Sequence, residues 1–133
     1  MIEHIEPKAT AGGVSVFCAH DKIVETDALV GNPRNPNKHP KEQIIALAKI
    51  IKRQGWRHPI VVSNRSGFVV KGHGRLLAAK ELGVSEVPVD FQDYESEASE
   101  FADLMADNKI QEFSELDLKM SADILKDILK DNV

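Results

Sequence analysis

The stretch FVVKGHGRLLAAKELG, Phe68–Gly83, limits the fold more than any other part of the sequence. FVVK reads as a short apolar strand, and the residues from about Gly74 to Leu82 read as a helix closed by Gly83. A strand that enters a helix through two glycines commits the chain to mixed α and β structure. Such a corner presents unpaired backbone N–H groups and the positive end of the helix dipole. Gly72 and Gly74 let a phosphate approach the backbone with no Cβ in the way. Arg75 in the first turn can fork onto phosphate oxygens, and His73 can donate to another oxygen or meet a base. A cation is unfavourable at a bare helix N-terminus, and a bound anion would relieve that conflict. The spacing is neither G-x-x-x-x-G-K-[ST] nor a full G-x-G-x-x-G, so neither standard nucleotide loop applies. A Gly-x-Gly corner on its own serves more often as a plain structural turn, and both readings stand at this point.

The remaining segments fit around that corner. VSVFC (Val14–Cys18) alternates, and His20–Asp21 is placed to turn it back into KIV as a hairpin. GNPRNPNKHP (Gly31–Pro40) is a loop, because its prolines remove donors and restrict their predecessors. KEQIIALAKIIKRQG is a helix, with Pro40 at its first turn and Gly55 as its stop. Ile44, Leu47, Ala48 and Ile51 form its buried face, and Lys52 and Arg53 complement the dipole. Pro59–Ser63 and Phe68–Lys71 are strands around the turn NRSG. EVPVDF is a half-buried strand with Val87, Val89 and Phe91 on one face. ESEASEFADLMADNK is a helix, with Ala98, Phe101, Ala102 and Met105 as its apolar side. A last helix spans Leu116–Lys130. The expected fold class is α+β: a small mixed β-sheet flanked by helices, in one domain.

Of the 133 residues 42% are hydrophobic, and no apolar run reaches the length of a membrane span. The N-terminus lacks a basic-then-apolar leader, so the expected location is cytoplasmic. Cys18 is the one cysteine, which excludes an intramolecular disulfide and a thiolate metal site and suits a small buried hydrophobe. Five histidines without ligand spacing do not make a zinc site. Aromatic residues make up 5% of the chain, too few for single-strand stacking platforms. The net charge of −4 is unevenly distributed. From Arg34 to Lys80 eleven Lys/Arg face one acid, Glu42, whereas from Glu81 to Val133 four Lys/Arg face fifteen Asp/Glu. The basic block either attracts phosphates or pairs with the acidic half, and charge alone does not choose.

The order of the segments supplies a further argument. NPRNPNKHP, a helix ending in glycine, HPIVV, a hairpin, KGHGRLLAAKELGVSEVPV and DNKIQE together resemble the ParB N-terminal (ParB-like nuclease) family of the ParB/sulfiredoxin fold, over about Lys22–Leu129. The GHGR form looks like the phage or mobile-element type often fused to DNA methyltransferases. The resemblance divides the chain into an N-terminal extension with a hairpin strand (1–21), a ParB-like domain (22–112) and a C-terminal helix (113–133). Related proteins usually continue past the point matching Val133, so a downstream domain is expected.

The resemblance also implies a nucleotide- or DNA-binding module with a regulatory or targeting role in DNA modification or partition. It assigns phosphate or nucleotide contacts to Gly72, His73, Gly74, Arg75, Asn32 and Arg34. The cofactor implied is Mg²⁺ with a nucleoside triphosphate, CTP or ATP. Asp107 and Asn108 would be the metal ligands, and Gln111 stands where the family usually has arginine. Lys38, Lys41, Arg57 and Lys71 are candidate DNA contacts. His73 occupies the position of the sulfiredoxin cysteine, so reductase activity is not expected. The alternatives are a metal-dependent nuclease or NTPase using Asp107 and His73, and a protein-interaction or homodimer module through the C-terminal helix.

Overall fold

The computed structural model describes residues 5–35 and 38–107. In chain order the elements are β1 (Ala9–Ala11), β2 (Val14–Val16), β3 (Lys22–Glu25), β4 (Val30–Gly31), α1 (Lys41–Gln54), β5 (Ile60–Ser63), β6 (Phe68–Lys71), α2 (His73–Leu82) and β7 (Glu86–Gln92). A 3₁₀ turn, Thr26–Ala28, joins β3 to β4, and residues 97–107 are helical and are called α3. Five strands form one mixed sheet in the order β3-β7-β5-β6-β4, and β1 and β2 form a separate pair. The α+β class expected from the sequence is the class found.

Two pairings position everything that follows. β5 and β6 form an antiparallel hairpin, and β4 lies parallel to β6 with Val30 opposite Phe68 and Gly31 opposite Val69. β4 and β6 therefore run the same way side by side, and the segments leaving their carboxyl ends emerge together. The core lies on one face of this sheet. Ile44, Ala48 and Ile51 of α1 and Leu76, Ala78 and Ala79 of α2 pack with Ile60, Val62, Val69, Val87 and Val89. The buried face of α1 is thus the one its periodicity indicates, with Leu47 only partly covered.

Three expectations are corrected. VSVFC does not turn at His20–Asp21 to pair with KIV. β2 pairs back onto β1 through Gly12–Gly13, both at positive φ, and β3 pairs instead with β7 at the sheet edge. Two glycines adopt that turn without strain, whereas His20–Asp21 would not. Asp21 joins β7 directly: its N–H donates to the Val89 carbonyl (3.0 Å) and its carboxylate accepts the Phe91 N–H (2.8 Å). The β1–β2 pair also belongs to the main core, since Ala11 and Val16 are fully buried in it.

The second correction concerns β7, which is not half-buried at its centre. Val87, Pro88 and Val89 are all buried, because β7 lies inside the sheet between β3 and β5.

The third concerns α3, which is turned the other way. Ala98, Phe101 and Ala102 are exposed, and the buried residues are Glu100 and Leu104. Ser63 precedes the β5–β6 turn and stands on the sheet face opposite the core-facing Val62. Its hydroxyl donates to the Glu100 carboxylate, which places α3 on that second face.

Candidate phosphate-facing site

Lys71 ends β6, and Gly72 then takes φ 93°, ψ 26°, a left-handed conformation that costs glycine little. A Cβ at Gly72 would lie 3.3 Å from the Ile60 Cα, so the corner is also tight against β5. α2 begins at His73 with no side-chain cap and no acidic residue in its first turn. Its leading amides thus lack the carboxylate or hydroxyl that ordinarily satisfies a helix start.

The neighbouring β4 exit closes one side of the corner. Asn32 forms a local turn, accepting the Arg34 N–H on its side chain (2.9 Å) and the Asn35 N–H on its carbonyl (3.0 Å). The Asn32 N–H donates to Nε2 of His73 at 3.1 Å. That bond fixes the tautomer: Nε2 is an acceptor, and only Nδ1 of neutral His73 can carry a proton. His73 thus ties the Asn32–Asn35 turn to α2, a role that the sequence did not reveal. His39 covers the next residue, its ring lying where a side chain on Gly74 would stand, 3.3 Å from the position of a Cβ.

Burial, with the nearby His39, lowers His73 from 6.5 to about 4. The unfolded chain therefore binds this proton near pH 6.5 and the folded one only near pH 4. Stability from neutral His73 is complete above pH 6.5 and is lost as pH falls toward 4. Allowing for screening at this partly exposed ring, we expect a loss of about 1–2 kcal/mol across that window. His73→Gln should flatten this part of the pH–stability curve. An NMR titration placing the His73 midpoint at or above its ordinary value would contradict the assignment.

Arg75 is half-buried at the start of α2, and burial lowers its pKa against the opposing influence of Asp107. Burial in turn pushes the Asp107 carboxyl up, while Lys71, Arg75 and His39 hold it down. Lys71 pairs with Asp103 at 3.1 Å, and the Asp103 carboxylate also accepts the Tyr94 hydroxyl at 2.6 Å. Arg34 pairs with Glu97 at 2.8 Å.

Gly72, His73, Gly74, Arg75, Asn32, Lys71 and Asp107 lie near one another at the end of β6, whereas the Arg34 side chain turns away to line a cavity with Arg65, Phe68, Glu97 and Glu100. His39 and Lys41 line a shallow depression beside the corner with Ile44, Leu77, Lys80 and Glu81. Lys38 is exposed on the same approach. Arg57 has a different position: its guanidinium stacks 4.2 Å above the Phe17 ring and donates to the Gln54 carbonyl at the end of α1. Asn108, Gln111 and the helix expected over Leu116–Lys130 lie outside the described residues. Among the described residues no group of three or more His, Cys, Asp or Glu is arranged to hold a metal ion, and no helix is long and apolar enough to cross a membrane.

The residues that motif reading missed are Glu97, Glu100 and Asp103. Their signal was present as acids spaced three apart in the chain, opposite the basic block in sign.

A mixed sheet whose parallel β4 and β6 deliver a proline–asparagine loop and a glycine corner to one end defines a small α+β domain. The chain belongs to the ParB N-terminal domain family, whose model matches residues 15–109. It is 38% identical over 55 residues to the ParB-like nuclease domain-containing protein YnaK of Escherichia coli (strain K12), covering 41% of this chain and 62% of that protein. It is 44% identical over 39 residues to the uncharacterized protein ORF326b of Acidianus two-tailed virus, covering 29% of this chain and 12% of that one. The chain therefore spans less than two thirds of these relatives. Among solved structures it is similar to the C-terminally truncated chromosome-partitioning protein ParB from Caulobacter crescentus complexed with CTP-gamma-S. That similarity has a TM-score of 0.57 and 22% identity, over 65% of this chain and 51% of that one. The same protein complexed to the centromeric parS site gives a TM-score of 0.55 and 19% identity, over 66% and 46%. At these identities the likeness is one of fold.

Proposed function

We propose that this domain is a binding module that takes the phosphates of a nucleoside triphosphate at the Gly72–Arg75 corner, and that it serves a regulatory or targeting role in DNA modification or partition. The observation that carries the reading is the uncapped start of α2. Left-handed Gly72, leading amides without an acidic or hydroxyl partner, and Arg75 in the first turn converge at one point. Amides and guanidinium bind phosphate oxygens. The Caulobacter relative is complexed with CTP-gamma-S, which makes CTP the first nucleotide to try.

Mg²⁺ fits this arrangement in a limited way. It commonly binds through one or two carboxylates plus substrate phosphates and keeps several waters. Asp107, whose carboxyl feels the charges of Lys71 and Arg75, is the carboxylate we assign to such an ion. The ion would neutralise phosphate charge, while the protein's own groups orient the phosphates.

Lys38, Lys41 and Lys71 broaden the basic face, and the domain is proposed to meet DNA there. Arg57 is better accounted for as a cap of α1. Calorimetry or thermal shift with CTP, ATP and GTP, each with Mg²⁺, tests the reading. Binding by at least one is expected, weakened roughly 10–100-fold in Arg75→Ala for the loss of a charge-assisted fork. No stabilisation by any of them, together with no salt-dependent DNA retention, would end it. Nucleotide hydrolysis or DNA nicking that disappears in Asp107→Ala would favour the enzyme reading instead.

A further inference from the structure

The phosphate reading leaves the outer side of α1 unexplained. Lys41, Lys49, Lys52 and Arg53 are all exposed, and at 3.6 residues per turn they fall within about 120° of one another around the helix. The buried residues Ile44, Ala48 and Ile51 occupy a different side. Other cations of the domain have partners: Arg34 pairs with Glu97, Arg65 with Glu100, and Lys71 with Asp103. Among the described residues no ion pair involves any of the four on α1.

Local helix energetics account for only part of this face. The helix dipole favours Lys52 and Arg53 in the last turn, but it disfavours Lys41 in the first and does little for Lys49. Lys49 stands three and four positions before Lys52 and Arg53, the spacings at which like charges on a helix repel. Glu42 is the one acid on α1, and it lies three or four positions from none of these cations. The helix therefore carries a crowded positive charge that its own chain does not neutralise.

We propose that this face of α1 docks on the phosphate backbone of duplex DNA, which supplies the missing negative charge. The proposal goes beyond the contact suggested at the corner, sharing Lys41 with it, and depends on neither a nucleotide nor Asp107. From Lys41 to Arg53 the stripe is about 18 Å long, against a major groove about 12 Å wide, so it reaches phosphates on both sides of a groove. Single-strand sites stack bases on aromatic side chains, and α1 has none. A membrane-surface helix sinks its apolar face into lipid, whereas the apolar face of α1 is spent in the core. Lys80 extends the basic face across the depression it shares with Lys41, where Glu81 is the acid present. Contacts of this kind position the protein without reading sequence. With a net charge of −4 the chain gains no long-range attraction, so binding depends on the local stripe and falls steeply with salt.

The test is fluorescence anisotropy of a short random-sequence DNA duplex, titrated with the full chain over a range of salt concentrations. Lys49→Gln/Lys52→Gln/Arg53→Gln is expected to reduce the slope of log affinity against log salt by about 2–3, roughly one per lost charge. Its affinity at low salt should fall tenfold or more, with circular dichroism confirming the fold. An unchanged slope overturns the proposal, as does a wild type that retains no DNA. A slope that falls in Lys38→Gln/Lys71→Gln but not in the α1 variant places the DNA at the corner instead, and the α1 assignment is wrong. Binding to phosphatidylserine vesicles without binding to DNA would make the face a lipid contact and also end it. CTP binding by the α1 variant should match wild type, so failure here leaves the Gly72–Arg75 reading standing. A second measure is the low-salt melt of Lys49→Gln, which is expected at or above the wild-type temperature because a repulsion is removed. A lower melt would show that Lys49 serves the fold, against the proposal.

Discussion

Gly55→Ala is expected to lower stability by roughly 3–5 kcal/mol, combining backbone strain with a core clash. Gly55 closes α1 at φ 80°, ψ 179°, a conformation essentially reserved for glycine. An added Cβ would lie 2.6 Å from the Ser15 carbonyl oxygen and 2.8 Å from the Phe17 ring. The oxygen cannot move away cheaply, because it accepts the Trp56 N–H at 2.8 Å, and Phe17 donates back to the Trp56 carbonyl at 2.9 Å. Those bonds fasten β2 to the segment between α1 and β5, with Trp56 fully buried beneath them. Gly67 is the natural control. It has φ 79° in the β5–β6 turn, and no atom lies within 4 Å of the Cβ position. Gly67→Ala carries strain alone, about 1 kcal/mol. Thermal or urea unfolding of the two variants compares them directly. Equal losses would show that the contact with Ser15 is relieved by relaxation and that this account of Gly55 is wrong.

Glu100→Ala is expected to cost roughly 2–4 kcal/mol, as for a buried charge partner removed from a satisfied network. Its carboxylate accepts the hydroxyls of Ser63 and Ser66 and pairs with Arg65. Ser63 Oγ in turn accepts the N–H groups of Arg65 (3.1 Å) and Ser66 (3.3 Å), so one acid on α3 organises the whole turn between β5 and β6. Burial alone would push the Glu100 pKa up, but the bonds from Ser63, Ser66 and Arg65 outweigh it and hold it below the ordinary 4.5. The stability it contributes is thus present above pH 4.5 and is lost as pH falls through the lowered folded value. Glu100→Gln keeps the shape and part of the bonding, and should lose about half as much. A Glu100→Ala variant that unfolds within about 0.5 kcal/mol of wild type, the range of ordinary surface changes, would show that α3 is held by other contacts.

Local chemistry made some elements legible before any coordinates. α1 combines a 3.6-residue apolar period, a preceding proline and a terminal glycine, and it runs Lys41–Gln54 with the anticipated face buried. FVVK and the NRSG turn were readable for similar reasons, since a strand's period and a turn's residue preferences act within a few positions. The segment order also carried the family. Wherever a partner is remote in the chain, the reading was incomplete. β3 satisfies its backbone against β7 rather than the nearby β2, and β4, two residues long, has too little pattern to be seen without β6 beside it. On α3 the apolar residues set the predicted face, yet the helix buries the well-bonded carboxylate of Glu100 together with Leu104 and leaves Ala98, Phe101 and Ala102 exposed.

The sequence by itself determined the α+β class, the α1 helix, the glycine corner into α2, and the division of charge into a basic and an acidic half. These follow from backbone preferences and residue chemistry that neighbours in sequence express together. Only the tertiary structure decided where those charges meet. The parallel pairing of β4 with β6 brings Asn32 to His73 and makes that histidine a neutral tie between loop and helix. The docking of α3 on the second sheet face sets Glu97 and Asp103 against Arg34 and Lys71. Contacts spanning tens of residues depend on which surfaces the sheet order brings together, and no local period encodes that order.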